Sequence, residues 1–284
     1  QTRFARNPAS VKPEALAALA VPDWLKEAMD SLPVDWLRQL QREPPLWIRA
    51  RRGREAEVAA ALKACAPAVL PAPFGSPPST ALRYSGMADL FSTPAYRAGL
   101  FEIQDLASQL VGHVCAPQSD ETWWDACAGE GGKSLHLSDL MQGKGLICVT
   151  DRSARRLATL RQRAARAQVF NYRAAGWNVS AHLPAKTKFD GILVDAPCSG
   201  VGTWRRNPHA RWTTQPADVR ELAEVQTRLL HHVAPALRPG GRLHDDHRHP
   251  LAPACGVDGG EAQTARHRAG ADDVAVDRLR DAPH

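Results

Sequence analysis

The order of apolar runs and helical stretches from Glu121 onward constrains the fold more than any other feature. Strand-like runs, glycine turns and helices alternate in "ETWWDACAGEGGKSLHLSDLM", "GLICVTDRSARRLATLRQRAARA", "FDGILVDAPCSG" and "ADVRELAEVQTRLLHHVAPAL". Strands that alternate with helices of this length predict a mostly parallel sheet with helices on both faces. We therefore expect an α/β, Rossmann-like domain over residues 111–243.

The preceding part of the chain has a different pattern. In "VKPEALAALAVPDWLKEAMDSL" and "REAEVAAALKACA", apolar residues recur at helical spacing, and prolines separate the short helices. Between them, "PPLWIRARRGR" is typical of a strand with a basic exit, and the Pro/Gly/Ser-rich "PAPFGSPPST" follows as a link. We predict a smaller, mainly helical region over residues 1–110.

The apolar pattern ends abruptly after Leu243. Residues 244–284 contain no Phe, Tyr, Trp, Ile or Met, and neither strand nor helix spacing is present. We predict an atypical tail over this segment, either disordered or produced by a frameshift. Translating the coding DNA in the other two frames tests the frameshift, which is excluded if neither frame restores strand-like apolar runs.

The stretch "DACAGEGGKS" has the pattern of a nucleoside-binding turn. Asp125 ends a strand, and the glycines after Ala128 open a helix, so the backbone can approach a ligand at the helix N-terminus. Asp151 ends the next strand, where a carboxylate can accept both hydroxyls of a ribose. The alternative is a tight turn in which Asp151 caps the following helix, although Ser153 is the better cap.

The acid inside this turn favours S-adenosylmethionine over a dinucleotide. A dinucleotide site usually reads G-x-G-x-x-G and holds a pyrophosphate, which Glu130 would repel. S-adenosylmethionine has no phosphate, and carboxylates suit its sulfonium and ammonium groups. An NAD-dependent oxidoreductase is the competing interpretation, and calorimetric titration with both cofactors separates the two.

A thiol follows the strand in "FDGILVDAPCSG". Asp195 and Cys198 come at the carboxyl end of a central parallel strand, where ligands bind in open sheets. A thiolate there could add to an electron-poor ring, with the carboxylate at the ring edge. By contrast, we expect Cys65, Cys115 and Cys148 to be small core residues.

The segment "GTWRRNPHARW" after this cysteine combines arginines with tryptophans. Arg205, Arg206 and Arg211 could bind phosphates, and Trp204 and Trp212 could stack on bases, as in binders of single-stranded nucleic acid. The alternative is a solvated loop whose tryptophans pack into the core.

Other basic clusters and the overall charge fit the same partner. Arg49 belongs to an arginine cluster at residues 49–54 and is the fourth predicted RNA contact, so we predict that the region over residues 1–110 binds RNA. The helix after Asp151 is also arginine-rich, but part of that charge is a solvated face opposite a buried stripe. The net charge of +6 and the pI near 9.2 suit a polyanionic partner or simply keep the chain in solution.

Composition limits the remaining function classes. The six cysteines show no CxxC pair, no zinc spacing and no disulfide framework, and no signal peptide precedes them. No apolar run approaches the ~18 to 20 residues of a membrane-spanning helix. We expect a cytoplasmic monomer with reduced thiols, no metal and no membrane association.

Several motifs together resemble a known family. "FEIQDLASQLVG", "DACAGEGGKSLHL", "DRSARRLATLRQRA" and "VDAPCSGVGTWRRNP" occur in the order typical of the Sun/RsmB-type RNA (cytosine-5) methyltransferases. The resemblance covers roughly residues 20–243. It implies a class I methyltransferase fold, S-adenosylmethionine as methyl donor, and a cytosine in structured RNA, most often ribosomal RNA, as acceptor.

The resemblance also implies roles for individual residues. The loop from Gly129 to Lys133 would bind the methionine end of the cofactor, Asp151 its ribose, and Asp195 would form the catalytic edge of the site. Asn178 falls near the family's acidic position beside the adenine, although it is an amide. The full predicted cofactor set is Cys127, Ala128, Gly129, Glu130, Gly131, Gly132, Lys133, Asp151, Arg156, Asn178 and Asp195.

The family mechanism uses two cysteines, and this chain matches one of them. In the family, a cysteine in a Thr-Cys motif after the "PGGRL" strand attacks cytosine C6, and the Pro-Cys cysteine then helps product release. Cys198 matches the second role, and with Asp195 it forms the predicted catalytic pair. After "PGGRL" this chain reads "HDDHRHPLAPACG", and Cys255 has no preceding threonine. Two functions therefore stay open: RNA (cytosine-5) methylation, or an RNA- and cofactor-binding protein that lacks the attacking thiol.

Overall fold

The computed structural model describes residues 7–29, 31–68, 80–179 and 188–246. All but Thr80 of the predicted "PAPFGSPPST" link lies outside these ranges. The predicted atypical tail also lies outside them, except for residues 244–246, and Cys255 falls in its remainder.

The N-terminal part contains helices and a small antiparallel sheet. Its helices are α1 (Pro13–Ala20), α2 (Asp23–Ala28), α3 (Val34–Leu40), α4 (Glu55–Leu62) and α5 (Pro94–Arg97). Its strands are β1 (Leu46–Ala50), β2 (Cys65–Pro67), β3 (Ala81–Tyr84) and β4 (Phe101–Ile103), in the order β2-β3-β1-β4. The helices predicted at α1, α2 and α4 and the strand predicted at β1 are confirmed. The other three strands are too short to give a sequence pattern.

The rest of the described chain forms the predicted α/β domain. Its helices are α6 (Leu106–Cys115), α7 (Gly132–Leu140), α8 (Ala154–Arg166), the single turn α9 (Ala210–Thr213) and α10 (Pro216–Val233). Its strands are β5 (Thr122–Asp125), β6 (Leu146–Asp151), β7 (Tyr172–Gly176), β8 (Phe189–Val194) and β9 (Leu237–Asp245). They form a parallel sheet in the order β7-β6-β5-β8-β9, which confirms the prediction.

Two adjacent tryptophans in β5 fill the core on opposite faces of this sheet. Trp123 packs with Leu137 and Leu157 on one face, and Trp124 packs with Phe189 on the other. Both indoles are fully buried. Successive side chains of a strand point to opposite faces, so a central parallel strand covered by helices is apolar on both.

Strand β9 continues past Leu243, where the apolar pattern of the sequence stops. His244 pairs with Leu193 and Asp245 with Val194 of β8, and the backbone N–H of Asp246 donates to the Val194 carbonyl at 3.0 Å. The His244 ring stacks on Trp123, with 5.8 Å between ring centroids. Backbone pairing and this stacking hold a polar segment that sequence pattern alone does not identify as a strand.

Buried polar contacts join the antiparallel sheet to the α/β domain. The Arg49 guanidinium on β1 donates to Asp139 of α7 at 3.0 Å and to Gln104 at 2.8 Å. Separately, α1, α2 and α3 pack against Val201 and Trp204, which follow β8. The N-terminal helices therefore support the loop that carries Cys198. None of the helices in the described ranges is long and apolar enough to cross a lipid bilayer.

Candidate active site

A cavity of about 570 Å³ opens where β5, β6 and β8 end. Most of the predicted cofactor residues line it: Cys127, Ala128, Gly129, Glu130, Gly132, Lys133, Asp151, Arg156 and Asp195. Gly131 lies beneath the turn, against Leu160. Asn178 is exposed and does not line the cavity, since its neighbours Trp177 and Val179 form that part of the wall.

The glycine turn is fixed by backbone geometry and by Asp151. Gly129 and Gly131 have φ values of +54° and +83°, a region that side chains other than glycine rarely adopt. One carboxylate oxygen of Asp151 accepts the Gly129 N–H at 2.9 Å, and the other accepts the Ser153 N–H at 2.7 Å. Ser153 caps α8, as its sequence position predicts. Asp151 therefore stabilises the turn through these hydrogen bonds and also lines the cavity.

Asp125 is a functional candidate that the sequence analysis used only to mark the end of β5. Its buried carboxylate accepts a hydrogen bond from the Ser134 hydroxyl at 2.6 Å and is also approached by the backbone N–H of Cys127. Burial raises the pKa of Asp125 to about 7, against the opposing effects of Ser134 and Lys133. The signal available in the sequence was an acid at the end of the strand before the glycine turn.

The cavity walls fit S-adenosylmethionine chemically. Asp125, Glu130, Asp151 and Asp195 bring carboxylates to the end beside the glycine turn, which suits a ligand with a sulfonium and an ammonium group. The opposite wall is apolar and consists of Trp177, Val179, Val225 and Leu229, which suits an adenine ring. A Cβ added at Gly129 would meet no atom within 4 Å, so the backbone at this point faces open space.

Lys133 joins two carboxylates at the ends of β8 and β9. Its Nζ lies 2.5 Å from Asp195 and 3.0 Å from Asp246. Burial alone would lower the pKa of Lys133, but the two carboxylates outweigh burial and raise it. Asp246 was missed because the sequence after Leu243 carries no strand pattern. The ammonium holds Asp195 beside the cavity.

Cys198 lies between this cavity and a second, smaller one. The second cavity has a volume of about 240 Å³ and shares Ser108, Lys133, Asp195 and Cys198 with the first. The Cys198 thiol is exposed. Gln226 of α10, which is buried, donates from its side-chain amide to the Pro197 carbonyl at 2.8 Å and so fixes the backbone just before the thiol.

The other cysteines predicted to be packing residues are less accessible. Cys115 is fully buried, and Cys65 and Cys148 are half-buried. Burial raises the pKa of all three thiols. It also raises the pKa of Cys127 in the cavity wall to about 12, so that thiol stays protonated at neutral pH.

The basic and aromatic segment after Cys198 is largely a packing element, and two predicted roles need correction. Trp204 is fully buried among the N-terminal helices and meets Trp24 edge-on at 6.3 Å, so its ring is not a stacking surface for bases. Arg211 is fully buried and donates to the carbonyls of Leu40 at 2.7 Å and Trp204 at 3.0 Å. Its predicted phosphate contact is incompatible with this burial.

The remaining predicted RNA contacts are placed differently from one another. Arg49 is 1% exposed and bound to Asp139, so it joins parts of the fold and does not face a ligand. Arg206 is exposed, pairs with Asp105 and lines the second cavity. Arg205 lies half-buried on the surface, with its guanidinium on backbone carbonyls that follow α3.

Comparison with known proteins identifies the relatives of this site. Residues 113–244 match the family model for the 16S rRNA methyltransferase RsmB/F. Ribosomal RNA small subunit methyltransferase B of Shewanella oneidensis is 35% identical over 235 residues, which are 78% of this chain and 52% of that protein. The predicted resemblance to Sun/RsmB-type methyltransferases is confirmed. The chain spans about half the length of this curated relative.

Solved methyltransferase structures have the same fold. NSun6 from Pyrococcus horikoshii, solved with SFG, has a TM-score of 0.64 at 18% identity, covering 86% of this chain and 83% of that one. A methyltransferase homologue protein from Pyrococcus horikoshii has a TM-score of 0.63 at 24% identity, covering 82% and 76%. The predicted class I, Rossmann-like methyltransferase fold is confirmed. Its glycine turn, Asp151 and the Asp195–Cys198 segment lie together at one edge of the sheet.

Proposed function

We propose that this chain binds S-adenosylmethionine in the larger cavity and transfers its methyl group to C5 of a cytosine in RNA, with ribosomal RNA as the substrate. The observation that carries the proposal is the position of Asp195 and Cys198 on the boundary of two cavities. The larger cavity fits the cofactor, and the smaller one shares these two side chains with it. A target base in the smaller cavity would face the cofactor across them.

Individual residues of the chain would hold the catalytic carboxylate, contact the target base and assist product release. When bound, S-adenosylmethionine supplies the methyl group. The Lys133 ammonium holds Asp195 at 2.5 Å, which leaves the second carboxylate oxygen to accept a hydrogen bond from the cytosine edge. Cys198 would assist product release in the role implied by the family resemblance. Turnover would also need a thiol that adds to cytosine C6, which Cys198 alone among the described residues of the second cavity could supply.

Nucleoside analysis tests the proposal directly. RNA incubated with the chain and methyl-labelled S-adenosylmethionine would be digested and examined for 5-methylcytidine by mass spectrometry. We expect labelled 5-methylcytidine, and we expect Asp195→Asn to lower its yield even at saturating S-adenosylmethionine, where the contribution of Asp195 to cofactor binding no longer limits the reaction. Thr227→Val, on the exposed side of α10, is the matched control. Label in another nucleoside would overturn the assignment to cytosine C5.

A second candidate function, binding of RNA and cofactor without turnover, is favoured by the end of β9. Cytosine C5 is a weak nucleophile until a group adds at C6. In the described chain, the end of β9 brings the carboxylate of Asp246 into the second cavity, and the thiol there is Cys198. Binding without product, together with activity in a chain whose β9 continues into an apolar Thr-Cys segment, would support this candidate. Equal product from both chains would exclude it.

The same proposal includes the cellular setting. We propose that the chain meets its RNA in the cytoplasm, as expected for a chain whose relatives carry ribosomal RNA in their names. The chain would act there in rRNA processing. Fractionation of cells that express the tagged chain, with ribosomal RNA probed in each fraction, tests this setting.

A further inference from the structure

Three arginines from separate parts of the sequence lie near one another, and one of them is the chain neighbour of Arg206, which lines the second cavity. Arg42 follows α3, Arg83 lies on β3 with its side chain exposed, and Arg205 follows the Cys198 segment. The Arg205 guanidinium donates to the backbone carbonyls of Arg42 at 3.3 Å and Glu43 at 2.7 Å. We call Arg42, Arg83 and Arg205 the arginine surface.

The positive charge of this surface is not neutralised within the described part of the chain. Arg205 donates only to neutral carbonyls there, and neither Arg42 nor Arg83 has a carboxylate within ion-pair distance among the described residues. Burial lowers the pKa of Arg205, and the charges of Arg42 and Arg83 lower it further. The nearby Asp105 acts in the opposite direction but is already paired with Arg206.

Two other arginine groups are accounted for by protein contacts. Arg49 and Arg51 both bind Asp139, and Arg163 and Arg166 both bind Glu102, which is 2% exposed. Like charges held together without acidic partners repel one another, and an external polyanion relieves that repulsion. The arginine surface therefore differs from these groups in needing a partner.

The arginine surface is connected to the second cavity by consecutive residues of the chain. Arg206, the neighbour of Arg205, lines the second cavity together with Cys198. We propose that the arginine surface binds the phosphate backbone of the RNA strand whose base enters the second cavity. This inference rests on the proposed function, and it assigns RNA positioning to Arg42 and Arg83, which the sequence pattern did not indicate.

The salt dependence of RNA binding tests this assignment. Fluorescence anisotropy with a labelled single-stranded RNA would be measured at several salt concentrations for the full chain and for Arg42→Gln/Arg83→Gln/Arg205→Gln. Each lost phosphate contact lowers the slope of log affinity against log salt by about 0.7 for single strands, so we expect a fall of about two units. The double variant Arg42→Gln/Arg83→Gln leaves the Arg205 contacts in place and should lower the slope by about 1.4 units.

A charge-matched control separates this surface from overall basicity. Arg155→Gln/Arg161→Gln/Arg220→Gln removes the same charge from exposed positions on α8 and α10. We expect this variant to keep most of the slope, and all variants to bind S-adenosylmethionine as the unmodified chain does. An equal fall in the control, or an unchanged slope in the double variant, would overturn the arginine surface alone. Absence of RNA binding by the unmodified chain would instead overturn the proposed function.

Discussion

The turn between β5 and α7 and the segment from residue 202 to 212 were both expected to contact ligands, and the structure separates them. The turn lies at the cavity with its glycines in the expected conformation. In the second segment, Trp204 and Arg211 are fully buried against the N-terminal helices. The glycine turn could be placed from the sequence because its glycines are required by the backbone conformation itself. Arginine and tryptophan occur both at surfaces and in interiors, so a segment rich in them does not reveal which of the two it forms.

We expect the largest loss of stability from a substitution at the buried Arg211. Arg211→Met keeps most of the side-chain volume but removes the donors to the carbonyls of Leu40 and Trp204. A buried carbonyl left without a donor costs about 1–3 kcal/mol, so we expect the free energy of unfolding to fall by about 3 kcal/mol. Urea denaturation followed by tryptophan fluorescence measures this loss.

Arg206→Met is the matched control, because Arg206 is 43% exposed and pairs with a partly exposed Asp105. Such a surface pair contributes at most about 1 kcal/mol. Similar losses at both positions would mean that Arg211 is not the buried contact described above, and the comparison would fail.

The second prediction contrasts the two glycines of the turn that have positive φ. A Cβ at Gly131 would lie 2.6 Å from Leu160 Cγ, whereas a Cβ at Gly129 would meet no atom within 4 Å. We expect Gly131→Ala to cost at least about 2 kcal/mol of unfolding free energy, from backbone strain and overlap combined. Gly129→Ala should cost about 1 kcal/mol and act mainly on cofactor affinity.

Thermal unfolding and calorimetric titration with S-adenosylmethionine measure the two effects. The turn would be described incorrectly if Gly129→Ala proved the more destabilising of the two, or if it left cofactor affinity unchanged.

Local signals were sufficient for the sheet and for much of the cavity. Alternating strands and helices placed β5, β6, β8, α8 and α10, and the spacing from the glycines to Asp151 placed the turn. The partners of Arg211 and Arg49 could not be inferred in this way, since Leu40 and Asp139 lie 171 and 90 residues away from them in the sequence. Burial of an arginine is decided by such distant contacts, and β9 beyond Leu243 is likewise decided by pairing with β8.

The third prediction concerns pH and Asp125. With a pKa of about 7 in the folded chain and an ordinary value near 4 when unfolded, the folded state holds one proton more between these values. The contribution of Asp125 to stability therefore falls as pH rises from 4 to 7, by at most about 1.4 kcal/mol per pH unit. Urea unfolding of the unmodified chain and of Asp125→Asn at pH 5, 6 and 7 measures the contribution of Asp125, because all other titrating groups contribute equally to the stability of the two proteins. Parallel curves would contradict the raised pKa.

The smallest expected effect concerns the hydrogen bond between Gln226 and the backbone just before Cys198, at the point where the chain leaves β8. Gln226→Met removes the donor to the Pro197 carbonyl and preserves side-chain size. One hydrogen bond of this kind contributes about 1 kcal/mol. The Cys198 thiol is already exposed, and the freed backbone should let it adopt orientations more open to attack, so its alkylation by iodoacetamide should accelerate by up to about fivefold. Peptide mass spectrometry would assign the label to Cys198.

Thr227→Val, which alters only an exposed hydroxyl bonded to Ala223 of the same helix, should leave the rate unchanged. An unchanged rate in Gln226→Met would show that packing of Val201 and Trp204 against the N-terminal helices fixes the thiol without help from α10.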